Sequence, residues 1–140
     1  MRPQKGFSLI EVLITSLVIS VGLHGIAGIV ANSLKSNQSS YTRTQASLLA
    51  NDMIDRMRAN RRSASVDNYN LALTATPSGA GVVANDLIDW RNTLASTLPA
   101  GTGAVVLDAV TLRVSVTVQW NNSRVAGGSG TQQIVVESIL

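Results

Sequence analysis

The 140-residue chain has no cysteine and a single histidine, His24. Without thiols it has no disulfide framework, no thiolate metal site and no cysteine nucleophile, and one imidazole is too few for the usual catalytic zinc sites. Charge is sparse at 14% of residues, aromatics make up 4%, and there are three prolines. Disordered segments are highly charged and poor in apolar residues. Here the hydrophobic share is 45% and the mean hydropathy is +0.22. The chain has to bury apolar surface, and its length suits one small domain rather than two.

A sequence pI of about 10.0 points towards nucleic acid. The excess, however, is concentrated at the start: without Arg2 and Lys5 the 11 basic residues fall to 9 against 8 acids, and the net charge from +3 to +1. Arg56, Arg58, Arg61 and Arg62 do cluster, but the run is short and lacks interleaved aromatics, so nucleic acid is not an expected partner.

What the chain does have is a long apolar run. Phe7 to Val30 reads FSLIEVLITSLVISVGLHGIAGIV, with Glu11 its one formal charge. At 1.5 Å per residue, about 20 helical residues cross the roughly 30 Å hydrocarbon core of a bilayer. Arg2 and Lys5 precede the run and no Lys or Arg follows before Lys35. The positive-inside bias then places the amino terminus in the cytoplasm and the remainder across the membrane. A secretory signal has an apolar core of about 7 to 15 residues followed by a small-residue cleavage site, and this run is longer. Glu11 near its start is costly in hydrocarbon unless it has a partner or lies at the interface.

Lys5-Gly6-Phe7-Ser8-Leu9-Ile10-Glu11-Val12-Leu13 resembles the class III signal of type IV pilins and type II secretion pseudopilins, in which a short basic leader ends in Gly and an aromatic residue opens the apolar helix. The resemblance implies that a membrane-embedded prepilin peptidase and methylase cuts after Gly6 and methylates the new amine of Phe7. It also implies that Glu11, fifth in the processed chain, is the subunit-assembly residue. A terminal ammonium on one subunit and a carboxylate on its neighbour are each costly in apolar surroundings and compensate one another when paired.

Gly22, Gly25 and Gly28 recur every third residue in the apolar helix, each costing about 0.8–1.0 kcal/mol of helix propensity relative to Ala. They permit close approach of another membrane helix; the resemblance offers the alternative of weak points where the helix extends on entering a filament. His24 is a tolerated polar residue in this segment.

Past Val30 the chain turns polar, and Ala46, Leu49, Ala50, Met53 and Met57 keep a helical period. One continuous helix from about Phe7 to about Asn60 is expected, with Asp52 and Arg56 paired four residues apart and the arginine cluster at its negative end. Ser63 to Val83 reads as an irregular connection with a short strand near Tyr69 to Leu73. Asn85 should cap a helix from Asp86, with Leu87, Trp90, Leu94 and Leu98 on one face, Trp90 in the core and Pro99-Ala100-Gly101 as the stop. Strands follow at Val105 to Leu107, at Leu112 to Trp120 with Val114, Val116, Val118 and Trp120 on one face, and at Gln132 to Leu140. They form an antiparallel meander against the outer half of the helix.

The expectation is an α+β, pilin-like fold in four parts: a leader at 1–6, a transmembrane and assembly half-helix at 7–30, an amphipathic half-helix at 31–60 and a small periplasmic head at 61–140. The runs Val21-Gly22-Leu23, Ala50 to Asn60 and Asp86 to Arg91 are similar to those of the family's minor pilins. The resemblance implies a structural subunit that primes or caps a pilus with other minor pilins and a major pilin, through an inner-membrane assembly platform. A pseudopilin shares the same signal, and a membrane-anchored periplasmic enzyme is the rival of another class. Asp67, Asp86, Asp89, Asp108 and Glu137 are scattered without paired spacing, each suited to capping or solvation, so no catalytic residue, metal or cofactor is expected. Many pilins carry a carboxy-terminal disulfide, which this chain cannot form, and the small head leaves little room for an adhesive surface.

Overall fold

The computed structural model describes residues 6–64, 68–125 and 128–140; Arg2, Lys5 and Asp67 lie outside them. The elements run α1 (Leu9–Ala59), α2 (Arg61–Ala64), α3 (Val82–Thr97), β1 (Thr102–Asp108), β2 (Arg113–Trp120) and β3 (Gln132–Ile139). The chain divides into two compact units, Met1–Asn37 and Gln38–Leu140. The expected long helix is present as α1. The arrangement is α+β and pilin-like, with a three-stranded antiparallel sheet ordered β1-β2-β3 on the carboxy-terminal side.

In the first unit, α1 exposes large apolar side chains all round, Leu9, Leu13, Leu17, Val21 and Ile29 each being more than 65% exposed. An 18-residue window of α1 has a mean hydropathy of 2.1 and buries nothing. It is the one helix among the described residues long and apolar enough to cross a membrane.

In the second unit, α1 buries a stripe: Thr42, Ala46, Ala50, Met53, Ile54 and Met57. Steps of three and four residues place these on one face. All but Thr42 share a core with Trp90 and Leu94 of α3 and Val105, Leu107, Val114, Val116 and Val118 of the sheet. β2 alternates as its sequence requires, with Val114, Val116, Val118 and Trp120 buried. Trp90 is wholly buried and donates its indole N–H to the Leu49 carbonyl at 2.8 Å, which fastens α3 to α1.

Several boundaries differ from expectation. α3 starts at Val82 rather than Asp86, its N-cap position is Gly81, and Asn85 makes no cap there. The reason is that Ala84 extends the buried Leu87, Trp90 and Leu94 face by one turn, so packing overrides the β-branched Val82 and Val83. Leu112 falls outside β2, because it adopts φ 54° to close the hairpin. The strand near Tyr69 to Leu73 reduces to a single bridge, Leu71 with Val105. Arg91 of α3 accounts for the rest of that segment's path, since its Nη2 meets the carbonyl oxygens of Ala72, Leu73 and Ala75 at 3.1, 2.9 and 2.6 Å. Burial lowers the Arg91 pKa.

Asp86 is neither a cap nor a solvated residue. It accepts the Tyr69 hydroxyl at 2.6 Å and lies 3.7 Å from Arg56, which also bonds Asp52 at 2.9 Å. Asn60 donates to the same hydroxyl oxygen at 3.1 Å. Burial, then the Asp86 hydrogen bond, push the Tyr69 pKa up to about 12.

Two consequences can be measured. A Cβ at Gly103 would lie 2.4 Å from Trp90 Cη2 and 2.9 Å from the Thr117 carbonyl oxygen. Gly103→Ala should therefore destabilise the head by about 1–3 kcal/mol in denaturant unfolding, the usual cost of overpacking. Because the folded Tyr69 pKa lies above its unfolded value near 10, the protonated form stabilises the native state below pH 10, and that contribution is lost as pH rises towards 12. The urea midpoint should fall more steeply over this window in the parent chain than in Tyr69→Phe.

Candidate functional site

The signal residues sit at the exposed start of α1. Gly6 and Phe7 precede the helix, and Phe7 is 85% exposed. The Ser8 carbonyl accepts the amides of Glu11 at 3.0 Å and Val12 at 3.3 Å, which sets the first turn. Glu11 lies in that turn, where a carboxylate faces the positive end of the helix dipole. Among the described residues no cation pairs with it. Phe7, Glu11, Val12, Thr15 and Ser16 line a shallow surface depression.

Three polar side chains that follow, Thr15, Ser20 and His24, bond within the helix. The Thr15 hydroxyl donates to the Glu11 carbonyl oxygen at 2.7 Å, and Ser20 donates to the Ser16 carbonyl oxygen. His24 Nδ1 lies 2.9 Å from the Ser20 carbonyl oxygen, which can only accept, so Nδ1 carries the proton. Such back-bonding satisfies donors that hydrocarbon would leave unpaired. The carboxylate of Glu11 is therefore the strongest polar group that this stretch leaves available. α1 runs unbroken through Gly22, Gly25 and Gly28, and a Cβ at any of them would meet no atom of another part of the chain within 4 Å.

The arginine cluster is used partly in structure. Arg56 bonds Asp52, and Arg58 bonds Asp55 at 2.9 Å and the Ser138 hydroxyl at 2.7 Å. The remaining acids serve local geometry. Asp108 accepts from the Thr111 hydroxyl and from the amides of Val110 and Thr111, which together lower its pKa. Glu137 faces Arg113 at 3.4 Å. No three His, Asp or Glu side chains gather into a metal-binding group among the described residues. The Tyr69, Asp86 and Arg56 cluster escaped the sequence reading because its members lie 13 to 30 positions apart with no local signature.

Residues 1–27 match the model of the prokaryotic N-terminal methylation motif. No curated protein and no solved structure matches the chain. The motif supports a type IV pilin-like or pseudopilin protein; proteins that carry it are structural subunits, and it implies processing by a prepilin peptidase and assembly with other pilin-type subunits. The long exposed apolar helix is consistent with anchoring in a membrane.

Proposed function

We propose that this chain is a minor pilin of a type IV pilus, a non-enzymatic subunit that primes or caps assembly with other minor pilins. The observation that carries the reading is Glu11, a carboxylate with no ion-pair partner among the described residues, in the first turn of an exposed apolar helix and fifth after the Gly6–Phe7 junction. Cleavage after Gly6 would create an ammonium at Phe7, methylated by the same enzyme, and the Glu11 of an adjacent subunit would neutralise it. Until assembly the subunit would sit in the inner membrane in a single pass, with the amino terminus cytoplasmic and the head periplasmic, and afterwards in the pilus or at its tip. The assembly platform, the major pilin and other minor pilins would meet it through the amino-terminal helix. Gly22, Gly25 and Gly28 would serve there as points of close approach or of helix extension.

A type II secretion pseudopilin would use the same signal. The pilus is preferred because the Ala50 to Asn60 and Asp86 to Arg91 runs look most like the minor pilin group of type IV pilus modification protein PilV.

Among the described residues a side chain at Gly6 meets nothing within 4 Å, and Glu11 is exposed, so changes at either leave the packing of those residues untouched. In native cells, amino-terminal sequencing should give a methylated Phe7 start that depends on the peptidase and is lost in Gly6→Ala. Glu11→Ala should be processed normally yet enter sheared pili at least about tenfold less, since an unpaired buried charge costs roughly 3–5 kcal/mol and 1.4 kcal/mol is tenfold. Normal entry of that variant removes the assembly role; its recovery only with a secretion pseudopilus selects the other apparatus.

A further inference from the structure

The two edges of the sheet are treated differently. The β1 edge is closed by the chain itself: Leu71 and Val105 exchange two backbone hydrogen bonds of 2.9 Å, and the Asn70 side-chain oxygen accepts the Leu107 amide at 2.7 Å. At the opposite edge, the Leu140 amide bonds the Leu112 carbonyl at 3.0 Å, which fixes the phase of the β2–β3 ladder. In antiparallel pairing, hydrogen-bonded and non-hydrogen-bonded pairs alternate. Ile134, Val136 and Ser138 therefore turn their backbone groups towards β2. Gln133, Val135, Glu137 and Ile139 turn theirs outward, and no backbone hydrogen bond among the described residues reaches that side.

Sheet edges are usually blunted by charged side chains, lysine above all, by proline, by a bulge or by a covering loop, and β3 has Glu137 as its single charge. β3 contains no Lys, Pro or Gly, and its eight residues pair with β2 in unbroken register. Ile134 and Val136 pack on the core yet stay half-exposed, so a strand laid alongside would continue the inner apolar face.

We propose that the β3 edge takes up an extended strand from another protein by β-augmentation, a strand rich in β-branched residues with one Lys or Arg opposite Glu137. Charge selects this occupant. Glu137 is the one formal charge on β3, its side chain is 57% exposed, and Arg113 reaches it at only 3.4 Å. A second copy offers no cation there, because β3 carries no Lys or Arg to set opposite Glu137. Main-chain bonds would supply affinity and the alternating side chains specificity. The inference does not depend on amino-terminal processing.

The full chain in detergent micelles can be titrated with a peptide of about ten alternating Val and Thr residues carrying one central Lys, while amide exchange is followed residue by residue. Binding should slow exchange at Gln133, Val135, Glu137 and Ile139 by at least about tenfold. Val135→Pro, which removes an outward N–H and spares the β2 ladder, should abolish that protection while Val114 and Val116 stay protected. Glu137→Lys should reverse the preference towards a matched peptide with a central Glu, which keeps the test decisive if the proline variant does not fold. Exchange unchanged at millimolar peptide, protection confined to other residues, a peptide ranking that Glu137→Lys leaves unaltered, or amides already slowed in a concentration-dependent way by a second copy would each overturn the proposal.

Discussion

The unit from Gln38 to Leu140 is organised around the Trp90 ring. Its indole N–H ends on the Leu49 carbonyl of α1, and its far edge lies where a Gly103 side chain would be, so one residue sets the separation of α1, α3 and β1. A buried tryptophan removes about 150–250 Å² from water, which at about 25 cal/mol per Å² is roughly 4–6 kcal/mol of transfer free energy. That gain needs the indole nitrogen to keep a partner. The Leu49 carbonyl has two lone pairs, so accepting the indole N–H does not require breaking the helix. Gly101 serves the same packing at the end of α3, where a Cβ would lie 2.1 Å from the Leu94 carbonyl oxygen.

α1 serves two environments with one backbone. To Asn37 its apolar residues face outward on every side, a pattern that suits lipid or other apolar helices but has no preferred face in water. From Thr42 the apolar residues narrow to a stripe, and the helix becomes one wall of a small core. The hydroxyls of Thr15 and Ser20 and the single imidazole return their donors to the preceding turn. Glu11 has no equivalent way to satisfy itself, so its chemistry points away from its own helix.

Features carried by periodicity or by a contiguous string were legible in the sequence. The alternation of β2, the Trp90 stripe and the Gly6 to Leu13 segment are local patterns, and the long helix shows as a sustained apolar run followed by a helical period. The start of α3 was not legible, because Val82 and Val83 favour strands locally and only the burial of Ala84 decides for helix. Leu112 reads as the first apolar residue of a strand, yet hairpin closure forces a positive φ on it. Asp86 looked like a capping acid, and its true partner Tyr69 sits in a stretch with no period at all.

That irregular stretch is tightly held despite lacking regular structure. Tyr69 binds Asp86 and Asn60, Asn70 takes the Leu107 amide, and Leu71 pairs with Val105, so three consecutive residues join the end of α1, the start of α3 and the margin of β1. Arg91 then fixes the next residues through their carbonyl oxygens. A loop bound at so many points cannot yield its place to an incoming strand without giving up all of these bonds. The sheet is therefore closed at β1 by the same contacts that seat α3 on α1, and any growth of the sheet has to proceed from β3.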